Sequence, residues 1–294
     1  MGRHSEANSP VNSSPPLSPG MSSTSATEFV DQSDFEYHVL KEIRSASESQ
    51  VLVFTDINPS WGEQIVDLIN ETDDGYSTRK TYDSLTKVLR IKVMPTELHD
   101  CCQSWWRLSE INLRRIGDLT DDEQAQLDVL VGATLPFVGG PYRSSRKEPD
   151  LFVRSIYDRL PSFVIETGWS ESWGALMDDM NLLLVGGNGD IRAVAIIKWK
   201  LNRRTRVVSG FVELYVRDRQ GMPVRRQSED IFPAPTETTT PQRLDLSRQK
   251  AFGPSLLPDP ARAQPPNDMV YLEVEDLRTV ARRALDRMSL FPAV

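Results

Sequence analysis

The sequence predicts an α/β (α+β) domain with a mixed central sheet flanked by helices. Residues 191–197 form a nearly continuous apolar run rich in β-branched side chains, which is typical of a central strand covered on both faces. Two shorter apolar runs, 151–153 and 163–165, precede it and predict neighbouring strands. Between the second and third runs, apolar residues recur at helical spacing from Trp173 to Leu184, so a helix is expected to connect these strands.

The composition is that of a globular protein, with 39% hydrophobic and 26% charged residues among 294. The net charge of −8 disfavours a protein whose main task is to coat nucleic acid, so any such contact must use a local basic patch. Cys101 and Cys102 are adjacent and are expected to be reduced core residues of an intracellular, cytoplasmic or nuclear protein. No apolar run approaches membrane-spanning length, and the N-terminus lacks a signal-peptide pattern.

Four parts of the chain differ in composition. Residues 1–30 are rich in Ser and Pro and predict a disordered tail. Residues 31–226 carry the periodic patterns of the α/β domain. Residues 227–269 hold eight of the 20 prolines and predict a long loop or linker. Residues 270–294 predict a C-terminal strand and helix that pack on the domain.

The first half of the predicted domain contains a hairpin and a long helix. Alternating residues indicate the hairpin at 77–93. A helix is expected over 97–116, with Thr96 as its N-cap. A short helix or loop is expected at 118–131, and a first central strand at 135–138.

Two carboxylates occupy comparable positions beside the predicted strands. Asp150 precedes the first apolar run, Glu166 follows the second, and Lys198 ends the third. Carboxylate oxygens suit a divalent metal, and a lysine can position the attacking water in phosphodiester hydrolysis. The alternative places both acids in water at strand ends, with Lys198 as a solvated strand terminus. His99 is expected at the surface or near a helix cap, because no second His or Cys stands at ligand spacing.

The order of these elements resembles the core of the PD-(D/E)XK nuclease superfamily. The similarity is to its bacterial restriction endonuclease branch and to degenerate, uncharacterised fungal relatives, and it covers roughly residues 77–216. The matching residues are Met94-Pro95 before a helix, Glu148-Pro149-Asp150-Leu151-Phe152-Val153, Pro161-Ser162-Phe163-Val164-Ile165-Glu166 and Ser170-Glu171-Ser172. The helix after the Glu strand is expected to be capped by Ser170 or Ser172.

The resemblance implies a restriction-endonuclease-like core and a metal-dependent endonuclease if the protein is active. Asp150 would be the family's metal-binding Asp and Glu166 its second acidic ligand, with Mg²⁺ or Mn²⁺ as the cofactor. Both would be catalytic, and Lys198 is the nearest substitute for the catalytic lysine.

The chain departs from the family pattern at the catalytic lysine. The family expects a basic residue two positions after the Glu, where this chain has Gly168. The following helix carries Asp178 and Asp179, and no lysine occurs between Leu151 and Ile197. Three hypotheses therefore stand. The first is a metal-dependent phosphodiesterase acting on nucleic acid, and the second is a catalytically inactive nuclease-fold binding or interaction module. The third is a wholly structural domain.

The segment 198–226 is locally basic. Nine basic residues stand against two acids, Glu213 and Asp218, which gives a net charge of +7. Such a segment could contact the backbone of DNA or RNA, or form a solvated hairpin that pairs with the acidic remainder of the chain. Trp199 and Tyr215 could stack on bases or anchor the core. The candidate nucleic-acid-binding residues are Lys200, Arg203, Arg204 and Arg206.

Overall fold

The computed structural model describes residues 22–72, 77–169, 171–237, 240–261 and 267–294. The helices are α1 Gln32–Ser45, α2 Pro59–Glu71, α3 Cys101–Arg115, α4 Asp121–Gln124, α5 Trp173–Gly186, α6 Arg248–Phe252 and α7 Val274–Arg287. The strands are β1 Ser22–Ser25, β2 Gln50–Thr55, β3 Thr78–Asp83, β4 Val88–Val93, β5 Leu127–Leu130, β6 Leu135–Pro136, β7 Arg146–Lys147, β8 Leu151–Ser155, β9 Phe163–Gly168, β10 Ala193–Asn202, β11 Val207–Arg217, β12 Pro223–Phe232, β13 Arg243–Ser247, β14 Met269–Glu273 and β15 Phe291–Pro292.

The larger sheet is mixed, as predicted. Its strand order is β12-β11-β10-β9-β8-β5, with β15 paired to β11. Strands β9 and β10 run parallel, whereas β8 with β9 and β10 with β11 are antiparallel. Residues 193–197 of β10 are fully buried, because both faces of this strand are covered. The apolar run at 191–197 therefore forms the central strand that its composition predicts.

Helices cover both faces of the larger sheet. Helices α3 and α7 share one core with β9, in which the rings of Trp106 and Phe163 pack at a tilted angle with their centroids 5.7 Å apart. Helix α5 packs Leu176 and Leu183 on the opposite face, against Val164. The predicted cap Ser172 accepts a hydrogen bond from the amide of Ala175, whereas Ser170 lies outside the described residues.

The smaller sheet has the order β1-β2-β4-β3-β7-β6. Strands β3 and β4 form the hairpin predicted at 77–93. Helices α1 and α2 bury Phe35 and Ile65 against this sheet. The short strand β7 pairs with β3 and leads within four residues into β8 of the larger sheet. The two sheets therefore meet where β7 ends and β8 begins.

Two predictions about irregular segments are wrong in part. Residues 227–269 contain the end of β12, all of β13 and α6 rather than one long loop. Leu244 and Leu246 alternate with more exposed residues in β13, and the prolines lie outside this short strand. The predicted tail at 1–30 ends inside the fold, because β1 pairs in parallel with β2. Residues 1–21 lie outside the described part of the chain.

Three further boundaries differ from the prediction. The segment 118–131 contains the short helix α4, as expected, but also β5, an edge strand whose half-exposed side chains carry no clear alternation. The strand expected at 135–138 is not central, since β6 has two residues at the edge of the smaller sheet. Helix α3 begins at Cys101, and residues 97–100 form a turn in which the amide of His99 donates to Oγ1 of Thr96. No helix in the described ranges has the length and apolar character needed to cross a membrane.

Candidate functional site

The acid pair consists of Asp150, which directly precedes β8, and Glu166 on β9. Leu151 lies opposite Ile165 in the antiparallel register, so the two acids lie at the same end of neighbouring strands. The amide of Thr167 donates to Oδ2 of Asp150 at 2.7 Å. Asp150 is 1% exposed and Glu166 is 0% exposed. The structure therefore brings the two predicted acids together, and neither lies in water.

Lys92 on β4 provides a cation at the acid pair. Its Nζ lies 3.2 Å from Oδ2 of Asp150 and 3.7 Å from Oε2 of Glu166. The same amine lies 2.7 Å from Oε1 of Glu171, in the loop after β9. Sequence reasoning missed Lys92, because the alternation of charged and apolar residues in β4 is typical of a solvated strand face.

Lys147 on β7 is a second cation at Glu166, paired with the same carboxylate oxygen as Lys92. Its Nζ lies 2.9 Å from Oε2 of Glu166 and 2.7 Å from Oδ2 of Asp179 on α5. Asp179 also forms an ion pair with Arg90 on β4. Lys147 is 1% exposed. The buried network therefore joins the smaller sheet, the larger sheet and α5 through alternating charges.

His99 also belongs to this network, contrary to the expectation of a surface or capping residue. Its Nε2 lies 3.2 Å from Oδ2 of Asp150, and its Nδ1 lies 3.2 Å from Oδ1 of Asp100. Burial disfavours the charged ring, but the Asp150 charge and the hydrogen bonds to Asp100 and Asp150 together outweigh burial and raise the pKa of His99 to about 9. The Thr96 turn that precedes α3 aims the ring inward, which ligand spacing in the sequence does not reveal.

The carboxylates of the network titrate at different pH. Burial raises the pKa of Glu166 to about 7, and the neighbouring Asp150 charge adds to this effect. Burial opposes ionisation of Asp150, but His99 and Lys92 hold its pKa well below the usual range. Burial also opposes ionisation of Asp179, but Lys147, Arg90 and Lys92 together lower its pKa to about 2.

Lys198 lies beside this network but does not contact the acid pair. Its amine donates to the carbonyl oxygen of Glu171 at 2.6 Å and to that of Trp169 at 3.5 Å. The side chain is buried, so it is not a solvated strand terminus, and burial lowers its pKa. Lys198 therefore holds the loop whose Glu171 carboxylate pairs with Lys92.

Gly168 stands where the family that the sequence resembles has a basic residue, and α5 leaves no space there for a side chain. A Cβ atom at Gly168 would lie 2.5 Å from Cδ1 of Leu176. Leu176 is 1% exposed and packs in the core under α5. A lysine at residue 168 would therefore displace the helix or its side chains.

The donor atoms of the acid pair do not fit a hard divalent cation in this arrangement. The Lys92 ammonium lies between the carboxylates, where a bridging metal would need to bind. Within the described ranges, no group of three or more His, Cys, Asp or Glu side chains could hold a metal ion. Oε1 of Glu166 is buried without a hydrogen-bond partner among the described residues.

Access to the network is narrow. A cavity of about 10 Å³ borders Lys92, His99 and Glu171. A volume on the order of 10–15 Å³ holds about one water molecule. A phosphodiester therefore cannot reach the acid pair without a rearrangement of the surrounding chain.

The basic segment 198–226 is divided between two ends of the larger sheet. Lys200, Arg203, Arg204 and Arg206 are exposed at the β10–β11 turn, at the sheet end that carries the acid pair. The other arginines lie near the β11–β12 turn, about 30 Å away for strands of this length. The nine basic residues therefore do not form one continuous patch.

The two aromatic candidates for base stacking are core residues. Trp199 is 0% exposed and its ring lies 6.2 Å from that of Phe232. Tyr215 is buried and donates its hydroxyl to Oε2 of Glu213 at 2.5 Å. Neither ring is available to stack on a base.

Comparison of the chain with models of protein families, with curated proteins and with solved structures found no match.

Proposed function

We propose that this protein is a catalytically inactive nuclease-like module of the PD-(D/E)XK type that binds the backbone of DNA or RNA through its β10–β11 turn. The observation that carries this proposal is the Lys92 ammonium between Asp150 and Glu166. An internal cation at this place stabilises two ionised or partly ionised acids without a metal. The acid pair then serves, through its ion pairs with Lys92, to hold the two sheets together.

The order of elements supports the nuclease-like part of the proposal. Helix α3 is followed by the antiparallel strands β5, β8 and β9, then by α5 and by β10, which runs parallel to β9. The resemblance implied a helix, three strands, a helix and a strand, but the first strand was expected at 135–138, and β5 takes its place in the larger sheet. The two acids lie beside the second and third of these strands, as expected for that core.

The exposed β10–β11 turn supports the binding part. Lys200, Arg203, Arg204 and Arg206 are exposed there, and none forms an ion pair with a carboxylate in the described part of the chain. A groove of about 510 Å³ beside the turn is lined by Lys200, by the polar side chains of Asn202, Thr205 and Ser209, and by the apolar Leu201 and Val207. Unpaired cations beside hydroxyl and amide groups suit contacts to phosphate and sugar.

A metal-dependent phosphodiesterase is the second candidate, and one observation favours it. Lys92 supplies in space the lysine that the sequence lacks at residue 168, so two acids and a lysine lie together. In this alternative, a metal would bind Asp150 and Glu166 after Lys92 moves aside. Cleavage of nucleic acid with Mg²⁺ or Mn²⁺, lost in Asp150→Asn, would support this candidate and contradict the first.

The binding experiment uses fluorescence anisotropy with a labelled oligonucleotide at several salt concentrations. Substitution of Arg203, Arg204 and Arg206 by Ala should weaken binding at least tenfold. It should also reduce, by about 2 to 3, the magnitude of the slope of the logarithm of the association constant against the logarithm of salt concentration. Asp150→Asn should bind as the wild type does. Wild-type protein that shows no saturable binding at low salt would contradict the proposal.

A matched triple variant controls for the change in net charge. Arg159, Arg226 and Arg283 are exposed elsewhere and form no ion pair among the described contacts. Their substitution by Ala removes the same three charges and should leave binding within about twofold of wild type, because distant charges are screened. Equal losses in the two triple variants would assign the binding to net charge rather than to the turn.

A further inference from the structure

A second, larger cleft lies at the other end of β10 and β11 from the acid pair. Its volume is about 550 Å³. Its walls come from the segment after α5, the β11–β12 turn and the start of α6. Its lining includes Gly189, Arg192, Arg217, Arg219, Gly221 and Lys250.

The cleft is cationic in an acidic protein. Four cations, Arg192, Arg217, Arg219 and Lys250, line it against one carboxylate, Asp218. Asp218 already accepts hydrogen bonds from the amides of the turn, at 2.9 and 2.8 Å. None of the four cations forms an ion pair with a carboxylate that the structure describes. The four cations and one carboxylate therefore give the cleft a local net charge of +3.

The guanidinium of Arg217 is held in place by two glycine turns. Its Nε donates to the carbonyl oxygen of Gly221 at 3.0 Å. A Cβ at Gly221 would lie 2.6 Å from Nη2, and a Cβ at Gly189 would lie 3.1 Å from Nη1. Both glycines have positive φ, at +85° and +99°, which other residues rarely adopt. The turns therefore leave room for a guanidinium that is fixed before any ligand arrives.

Arg192 adds an Nε–H donor that has no partner among the described residues. Its Nε is buried and makes no hydrogen bond to any described residue. A buried N–H group without a partner is costly, and an acceptor on a ligand would relieve that cost. Ser247 and Gln249 in the same wall add a hydroxyl and an amide that can donate to oxygen.

We infer that this cleft binds a small molecule with a di- or triphosphate group. Arginine forks match phosphate oxygens in geometry as well as charge, and several cations are needed to offset more than one phosphate. The volume lies within the range of about 300–1,000 Å³ that small-ligand sites occupy. The inference is independent of the proposed nucleic-acid contact, because the β10–β11 turn lies at the opposite end of the strands.

Calorimetric titration with pyrophosphate tests the inference. The full chain should bind it saturably and at least tenfold more tightly than sulfate at matched ionic strength. The double variant Arg192→Gln/Arg217→Gln should lose at least tenfold in affinity. Because Arg217 also supports a turn, Lys250→Gln serves as a milder variant, with an expected loss of about threefold or more.

The matched control is Arg159→Gln/Arg283→Gln, which removes two exposed arginines outside the cleft and should bind pyrophosphate as the wild type does. The triple variant at the β10–β11 turn should also retain pyrophosphate binding, and the cleft variants should retain oligonucleotide binding. Absence of saturable pyrophosphate binding would overturn the inference. Equal losses in cleft and control variants, or affinity equal to that of sulfate, would also overturn it.

Discussion

The ammonium of Lys92 lies 3.2 Å from the carboxylate of Asp150, and this ion pair joins β4 of the smaller sheet to the start of β8 in the larger sheet. Both side chains are buried. A buried ion pair does not by itself imply high stability, because desolvation opposes the attraction of the charges. Removal of one partner is nevertheless expensive, since the other charge stays buried without compensation.

Lys92→Met should destabilise the protein by about 3–5 kcal/mol, because Asp150, Glu166 and Glu171 lose their shared cation. Urea unfolding followed by tryptophan fluorescence measures this loss. Lys41→Met, at an exposed position on α1, is the control and should change stability by less than about 0.5 kcal/mol.

A double-mutant cycle then isolates the pair. Lys92→Met combined with Asp150→Asn should be less destabilised than the sum of the single variants by about 1–3 kcal/mol, since the neutral amide no longer needs the cation. Additive effects would contradict a direct interaction between Lys92 and Asp150.

Stability should fall as the pH rises from about 5 to 9. The pKa of Glu166 is raised from 4.5 to about 7, so its contribution is present below pH 4.5 and is lost through pH 7. The pKa of His99 is raised from 6.5 to about 9, so its contribution is present below pH 6.5 and is lost through pH 9. In the wild type, the contribution of His99 to the free energy of unfolding that is lost above pH 6.5 amounts to about 3 kcal/mol, and His99→Gln should remove this pH-dependent loss. Unfolding free energies that rise over this range in the wild type would refute the assignment.

Gly168→Ala should cost about 1–3 kcal/mol, because the added methyl group meets the buried side chain of Leu176. The control is Gly174→Ala on α5, where the nearest atom to a new Cβ is Oγ of Ser172 at 3.8 Å. This control should be neutral or stabilising by up to about 1 kcal/mol, since Ala favours helix over Gly. Equal destabilisation in both variants would argue against closure of residue 168 by Leu176.

The sequence predicted the central part of the fold well, because the strongest patterns lie there. The continuous apolar run of β10 reflects burial of both faces of that strand. The helical spacing of apolar residues in α5 reflects burial of one face of that helix. Strand β13 was missed because its signal is two leucines, Leu244 and Leu246, among prolines. Strand β1 was missed because backbone pairing with β2 leaves no apolar pattern in a Ser/Thr segment.

The sequence also indicated the acid pair but not its cations. Lys92 is 58 residues from Asp150, and Lys147 is 19 residues from Glu166. A motif with fixed spacing cannot show a charge that another sheet supplies. The absence of a lysine between Leu151 and Ile197 is therefore compatible with a lysine at the acid pair, and only the packing of the two sheets reveals it.

Calorimetric titration of the wild-type protein with Mn²⁺ tests the central claim most directly. If Lys92 and Lys147 neutralise Asp150 and Glu166 internally, the titration should show no heat of saturable Mn²⁺ binding to these two carboxylates. Asp150→Asn should then give the same titration as the wild type. Saturable Mn²⁺ binding that is lost in Asp150→Asn, in a variant that still unfolds cooperatively, would contradict the claim and favour the metal-dependent phosphodiesterase.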